Sequence, residues 1–464
     1  MNLKIKEIIK CTEGSLIIGN ENSECTNYSI DTRKLQKGDT YIGIKGESLD
    51  GNLFWEDAFK NGAETLILNK MEIDEEKKEE YRKQNKNIIM VDDTILALGK
   101  MASYKRDLYG DRLKVIGVTG SVGKTSTKDI IANVMSQKYK TLKTQGNNNN
   151  SIGLPLTLLR LKDEEIAVIE MGMNHLGEIS YLSKIAKPDI AVITNVGTAH
   201  IGILGSRENI LKAKLEILDG MKNKRIVINN DNDLLNKWQQ ENNKNIEIHT
   251  FGINNVSEVR AEDIQLYANS SEFTCLYNNE TIKINVPVGG EHFILNALCG
   301  VSFGKIFGLS NEEIEKGIST FRLTAKRMEI IKLKNNITLI NDSYNASYES
   351  MKASIASLKN MEGTRKIAVL GDMFELGSFS EKLHRDVGVE VFKNKIDKLY
   401  VIGENVRFIV EEAINQGYDR QNALCYIDKE VLTNDLKEIL KDGDVILIKA
   451  SNGMKLFEVA EALM

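Results

Sequence analysis

From Leu113 onward the chain repeats one pattern: a short apolar run, a loop, then a segment with helical spacing. LKVIGVT, EIAVIE, IAVITN and RIVIN are the apolar runs. Such alternation predicts βαβ units on a parallel sheet. After His249 the pattern loosens. SEFTCLYNNETIKINV predicts a hairpin turning at Asn278-Asn279. EHFILNALCGVSFGKIF and NEEIEKGISTF predict two helices. From Thr324 the alternation resumes with ITLIND, RKIAVLGD, KLYVIGE and DVILIKA, which predicts a second, Rossmann-like sheet. Upstream, YIGI, TLIL and NIIMV predict buried strands. MEIDEEKKEEYRKQNK predicts a solvated helix face. DDTILALGKMASYKRDLYG predicts a helix, with Asp92 and Asp93 suited to its start. The expected architecture is α/β in three domains: a small α/β domain at 1–111, a central P-loop parallel-sheet domain at 112–323, and a C-terminal Rossmann-like domain at 324–464.

Composition narrows the class. A chain of 464 residues fits three domains of about 150 residues each. Hydrophobic residues make up 42% and charged residues 27%, which is ordinary globular usage. Net charge is −5, so the basic excess of a nucleic-acid binder is missing and no such partner is expected. The five cysteines (Cys11, Cys25, Cys275, Cys299, Cys425) include no CxxC pair, which fits reduced thiols. The N-terminus MNLKIKEIIKCTEG carries charges through its apolar positions, unlike a signal peptide. No uninterrupted apolar stretch reaches the ~18 residues of a membrane span. A cytoplasmic protein is expected.

The sharpest local signal is VIGVTGSVGKTSTKDIIANVM, a strand running through Gly120-Ser121-Val122-Gly123-Lys124-Thr125-Ser126 into a helix. Glycines let backbone N–H groups crowd around phosphate oxygens, and a helix N-terminus adds partial positive charge. Lys124 is placed to reach terminal phosphates, and the Thr125 hydroxyl to ligate Mg²⁺. Val118 stands where the strict GxxxxGK[ST] pattern has its first glycine, so this is a P-loop variant. A plain glycine turn is the alternative.

The next strand ends at Glu170, at the carboxyl edge where parallel sheets hold their ligands. A carboxylate there suits Mg²⁺, although a strand-end glutamate in solvent accounts for it equally. IAVITN leads to His200, in a chain with five histidines. A lone loop histidine is more often structural than a ligand. Lys212 and Lys214 follow on a helix, where lysines are usually surface charges.

TGSVGKTSTKD, TQGNNNNSIGLPLTLLRL, EMGMNHLGEIS, ITNVGTAHIGILGSRENILKAKLEIL, NDSYNAS and VLGDMFELGSFSEKLH, in this order, resemble the motif set of the Mur ligase superfamily. SIDTRKLQKGDTYIGIKGESLDGNLFWEDAFKNGAETLIL is similar to its uridine-nucleotide-binding domain. The asparagine run before IGLPLTLL, with EMGMNH and without a DNPR-type motif, favours the branch that adds D-alanyl-D-alanine over the MurE branch. The resemblance implies an ATP-dependent ligase that joins D-Ala-D-Ala to UDP-MurNAc-tripeptide through an acyl phosphate. It implies a precursor-binding domain, a central ATPase domain and a closing C-terminal domain, acting as a monomer.

By position, Lys124 resembles the phosphate-binding lysine. Thr125 and Glu170 resemble ligands of one Mg²⁺, and His200 of a second. Lys214 resembles the lysine that is carbamylated in the superfamily. Asn296 resembles an adenine-contacting residue, Arg327 an arginine reaching the terminal phosphate, and Asp342 a residue holding the ribose or closing the domain. Ser29, Asp31 and Arg33 match the UDP site. Asn147, Asn148 and Asn149 match a segment facing the precursor. Asp372 and Glu375 are candidates for holding the incoming amine, with capping carboxylates as the alternative. Thr32, Ser347-Tyr348, Ala450 and Asn452 depart from the usual Ser, Asn-Pro, Gly and Arg. Two other readings stay open: a sister ligase, MurE-like or folylpolyglutamate-synthase-like, with a different amine, and a P-loop NTPase switch, which has no use for the motif at 29–33.

Overall fold

The computed structural model describes residues 2–464 apart from 243 and 325. Among the described residues there are three sheets, of six, nine and six strands. The fold is α/β in three parts, each built on one sheet.

The first sheet runs Leu3–Lys4, Glu24–Ser29, Asp39–Ile42, Thr65–Asn69, Asn87–Val91, Ser15–Ile18. TLIL and NIIMV form its buried centre, whereas the strand expected over YIGI stops at Ile42. Beyond it the Gly43 N–H still reaches Ile67 O, and a side chain at Gly43 would press on Asn52 and Leu68. The acidic–basic segment forms the helix Glu75–Lys83, with Tyr81 alone turned into the core. Asp93 caps the helix Thr94–Tyr109 by accepting from the N–H groups of Ile95 and Leu96.

That helix also fastens the first part to the second. Lys105 Nζ donates to Leu159 O (2.5 Å), Tyr109 Oη to Lys162 O (2.9 Å), and Arg106 pairs with Asp189 at 3.1 Å. One hydrophobic cluster runs through the contact.

The central sheet orders its strands Thr141–Lys143, Ile166–Glu170, Lys114–Thr119, Ile190–Ile193, Arg225–Asn229, Glu247–Gly252, Val259–Leu266, Ser271–Tyr277, Glu280–Val286. Neighbours are parallel as far as Val259–Leu266 and antiparallel beyond it. Where the sequence pattern loosens after His249, the sheet in fact continues. Glu247–Gly252 is mostly half-buried and Val259–Leu266 is interrupted by a register shift. Neither shows the continuous apolar run of a strand covered on both faces. The hairpin turns at Asn278 and Asn279, both with positive φ (45° and 66°), as a two-residue hairpin turn requires.

The third sheet runs Glu329–Lys332, Thr338–Asn341, Val445–Lys449, Lys366–Gly371, Lys398–Ile402, Ala423–Tyr426, parallel except at its first strand. Its carboxyl edge and that of the central sheet meet across the main cleft.

Candidate active site

The cleft measures about 1070 Å³ and is walled by the central and C-terminal parts. At its floor the fully buried strand end Val115–Thr119 leads into the phosphate loop. A side chain at Gly120 would overlap Thr194 Oγ1, and Gly123 sits at φ 80°, so both positions demand glycine. The next parallel strand holds the loop from below. Asn195 accepts from Ser121 N (3.1 Å) and, through Oδ1, from Val122 N (3.0 Å), while Thr194 Oγ1 donates to Val122 O (2.7 Å). The helix Lys124–Met135 then begins, and residues 121–126 line the cleft. Its first N–H groups have no intrahelical acceptor and form an anion-binding end.

Lys124 Nζ folds back on Gly120 O (2.9 Å) and Ser121 O (3.3 Å). Burial holds its amine below the ordinary lysine range, with Glu170 opposing the shift and Arg327 adding to it. Glu170 is not in solvent. It is 2% exposed, and accepts from Thr125 Oγ1 (3.0 Å) on one oxygen and Asn149 Nδ2 (2.8 Å) on the other. Behind it lies Lys128, also buried, 4.0 Å away.

His200 caps the short helix Ile201–Leu204 in a left-handed conformation (φ 65°). Its Nδ1 lies 2.5 Å from Glu375 Oε2, without hydrogen-bond alignment. The imidazole beside Glu375 holds that carboxyl below its usual range. Lys214 is 1% exposed. Among the described residues its amine has no carboxylate within ion-pair distance, and burial drives it well below the lysine range, Lys124 adding to the effect.

On the facing wall, Asn296 Oδ1 accepts from Thr127 Oγ1 (3.0 Å) beside Gly123. The Arg327 guanidinium stacks on Tyr344 at 3.9 Å, and among the described residues its buried Nε has no hydrogen-bond partner. Asp342 accepts from Met328 N (3.0 Å), Ser354 Oγ (2.6 Å) and Lys449 Nζ (2.6 Å).

The expected residues thus divide. Residues 121–126, Glu170, His200, Asn296, Arg327, Asp342, Glu375, Asn147 and Asn149 line one cleft. Asn148 instead packs its backbone against Gly153. Lys214 lies buried behind the wall. Ser29, Asp31 and Arg33 sit on the first part, away from this cleft. Asp31 is paired with Arg33 Nε at 2.8 Å, which lowers its carboxyl to about 2.

Asp372, expected at the incoming amine, points elsewhere. Its two oxygens accept from the N–H groups of Glu404, Asn405 and Val406 (2.9–3.0 Å). A buried carboxylate takes the donors nearest to it, and here these belong to the turn after the adjacent strand. Asn452 lines the cleft where the family pattern has arginine, while Ala450 is fully buried.

The sequence reading missed Asn195, Lys128, Glu349 and Lys449. Asn195 and Lys449 each stand at the end of a predicted strand, a usable signal. Lys128 is one helical turn past Lys124. Glu349 had no signal beyond a helix start.

No three His, Cys, Asp or Glu side chains converge as a metal cluster among the described residues. A Mg²⁺ held by one carboxylate and a hydroxyl, with phosphate oxygens and water completing its shell, needs no such cluster. The donor set Thr125–Glu170 fits that chemistry.

Three family models match in succession: Mur ligase family, catalytic domain, at 24–106; Mur ligase middle domain at 118–304; and Mur ligase, glutamate ligase domain, at 326–452. The UDP-N-acetylmuramoyl-tripeptide–D-alanyl-D-alanine ligase of Bacillus subtilis is 39% identical, covering 99% of this chain and 98% of that one. The crystal structure of MurF from Acinetobacter baumannii superposes with a TM-score of 0.88 at 29% identity, covering 100% and 99%. MurF ligase from Thermotoga maritima in complex with ADP gives 0.80 at 29% identity, covering 94% and 96%. With matches of this extent along the whole chain, and a phosphate loop, carboxylate and histidine gathered in one interdomain cleft, the chain belongs to the Mur ligase family, within the group of the UDP-N-acetylmuramoyl-tripeptide–D-alanyl-D-alanine ligases.

Proposed function

We propose that this chain joins D-alanyl-D-alanine to UDP-MurNAc-tripeptide, using ATP to activate the peptide carboxylate as an acyl phosphate. The observation that carries the reading is the Thr125–Glu170 pair set under a glycine loop and facing a cleft roomy enough for two ligands. A carboxylate resists amine attack because its oxygen is a poor leaving group. Phosphorylated by ATP, it acquires phosphate as a good one. The dipeptide amine then attacks the carbonyl, the C–N bond forms, and the C–O bond to phosphate breaks. The products are the pentapeptide precursor, ADP and phosphate.

The first step brings two anions together. The loop N–H groups and Lys124 cradle the triphosphate. Arg327, stacked on Tyr344 with an unpaired Nε, is poised to meet the terminal phosphate. Asn296 stands at the loop for the adenine, and Asp342 is placed to hold the ribose or to close the domain. Thr125 and Glu170 are the residues to hold one Mg²⁺, and His200 a second. When bound, these ions neutralise charge that builds up as the phosphoryl group moves.

Lys214 suits carbamylation. An uncharged buried amine attacks CO₂ and loses a proton, giving an anionic carbamate whose oxygens suit Mg²⁺. Residues 1–111 form the precursor domain, with Ser29, Asp31 and Arg33 at the uridine nucleotide and Asn147 and Asn149 along its path. Glu375, which lines the cleft, is the remaining candidate for holding the incoming amine. Among the described residues no helix is long and apolar enough to cross a membrane, which suits work on a cytoplasmic nucleotide precursor.

The test is ADP release with UDP-MurNAc-tripeptide and Mg²⁺, with and without D-Ala-D-Ala. Dipeptide-dependent ADP release with formation of the pentapeptide is expected. ATP hydrolysis indifferent to both peptides would refute the reading.

A further inference from the structure

We infer that Glu349 is a positioning residue, fastening the C-terminal domain onto the loop 196–200 so that His200 is held in place only when the cleft is closed. The inference rests on the ligase reading above.

Glu349 is the second residue of the helix Tyr348–Asn360, which Ser347 caps. A carboxylate is favourable in a helix's first turn. Here it also reaches across the cleft. One oxygen accepts from Thr198 N at 2.7 Å, and the other from Thr198 Oγ1 at 3.0 Å. Both acceptors are spent on one residue of the opposite domain. The approach depends on Gly197, where a Cβ would stand 2.5 Å from the carboxylate carbon of Glu349.

The loop so gripped is the one that displays His200. From inside the central domain, Arg207 donates to Val196 O (2.9 Å) while paired to Asp233, and Asn232 donates to Val196 O (3.1 Å). Gly197 N donates to Ser121 Oγ (2.9 Å), tying the loop to the phosphate loop. Among the described residues the outer end has no comparable brace from inside the central domain. There Thr198 O accepts from Ile201 N (3.1 Å), closing the turn on which His200 adopts its left-handed conformation. Thr198 is thus one of two points where the other domain fixes this segment, its N–H and hydroxyl held by Glu349, the other being Glu375, which lies at the His200 ring and accepts from Gly202 N (2.9 Å). When the cleft opens, Glu349 and Thr198 both return to water and the turn loses its outer hold. Small displacements of groups in an active site cost rate rather than stability.

The experiment uses the full chain and the variants E349A, E349Q and T198V. Three readouts are needed: kcat and each KM, the Mg²⁺ concentration for half-maximal rate, and compaction by X-ray scattering on adding a non-hydrolysable ATP analogue with UDP-MurNAc-tripeptide. E349A is expected to lower kcat by about 30- to 100-fold and to raise the Mg²⁺ requirement. It should lose part of the compaction and keep its melting temperature. E349Q, which keeps one acceptor oxygen, should fall between. E349A should cost less on the T198V background than on wild type, because the two share a contact.

Wild-type rates in E349A would overturn the inference. So would a defect confined to the dipeptide KM with full compaction, which would make Glu349 a substrate contact. Should wild-type protein form no amide, the ligase reading fails. The scattering arm still decides on Glu349, since equal compaction of wild type and E349A overturns the proposal.

Discussion

Lys449 Nζ lies 2.6 Å from Asp342 Oδ2 at the junction of two neighbouring strands of the C-terminal sheet, with side chains only 2% and 11% exposed. The lysine also donates to Asn345 O (3.0 Å), so one ammonium supports the aspartate and the start of the NDSYNAS loop together.

Breaking this pair leaves a buried carboxylate without its counter-charge. K449M is expected to destabilise the C-terminal domain by about 3–5 kcal/mol, read from its denaturant midpoint. The double variant D342N/K449M should lose less, since no charge is then stranded. Equal loss in both would show that packing, rather than the ion pair, sets the effect.

Lys214 offers a chemical test. Its amine is buried, among the described residues it has no carboxylate partner, and it is held well below the ordinary range. K214A is expected to lose activity by about 10²-fold or more, the scale of removing one electrostatic stabiliser from an active site. Short carboxylic acids should restore part of it by filling the place of the carbamate. Full activity in the unrescued variant would exclude the modification.

His292 sets a pH dependence. Burial lowers its imidazole from 6.5 to about 4, with Lys449 adding to the shift and Asp342 opposing it. Between those values the unfolded chain binds a proton that the folded chain refuses. Folding stability contributed here is therefore intact above pH 6.5 and falls as pH drops toward 4. H292Q should flatten the slope of unfolding free energy in that window, measured by urea titration at stepped pH. An unchanged slope would assign the acid sensitivity to other groups.

Gly202 meets the C-terminal domain backbone to backbone. Its N–H donates to Glu375 O at 2.9 Å, and a Cβ would overlap the backbone around Leu376 and Gly377. No rotamer change relieves such an overlap. G202V is expected to reduce ligation by about 10²-fold while leaving thermal unfolding of the central domain in place. G205N is the control: Gly205 has positive φ (80°), but nothing lies within 4 Å of its Cβ position, and asparagine tolerates that conformation. Near-normal activity in G202V would mean that the two loops need not touch.

Features set by contiguous residues were legible along the chain. The phosphate loop is one strand, one turn and one helix start. The hairpin at Asn278-Asn279 and the cap at Asp93 are local backbone chemistry, which neighbours in sequence decide. The strand Val259–Leu266 was not legible, because a half-buried, bulged strand lacks a clean period. Lys212 and Lys214 show how far local pattern reaches: two lysines on one helix, of which only Lys214 is buried. Which one turns inward depends on what the helix packs against.

Taken alone, the amino-acid order determined the two parallel-sheet units, the anion-binding turn and the types of group available for chemistry, since propensity, period and capping act over a few residues. The tertiary structure alone decided direction and partnership. It turned Asp372 onto a neighbouring turn while sending Glu375 to His200, buried Glu170 between Thr125 and Asn149, and brought Glu349 to Thr198 from another domain. These contacts join residues far apart in the chain, and their geometry depends on how whole sheets pack edge to edge, which no local stretch of sequence encodes.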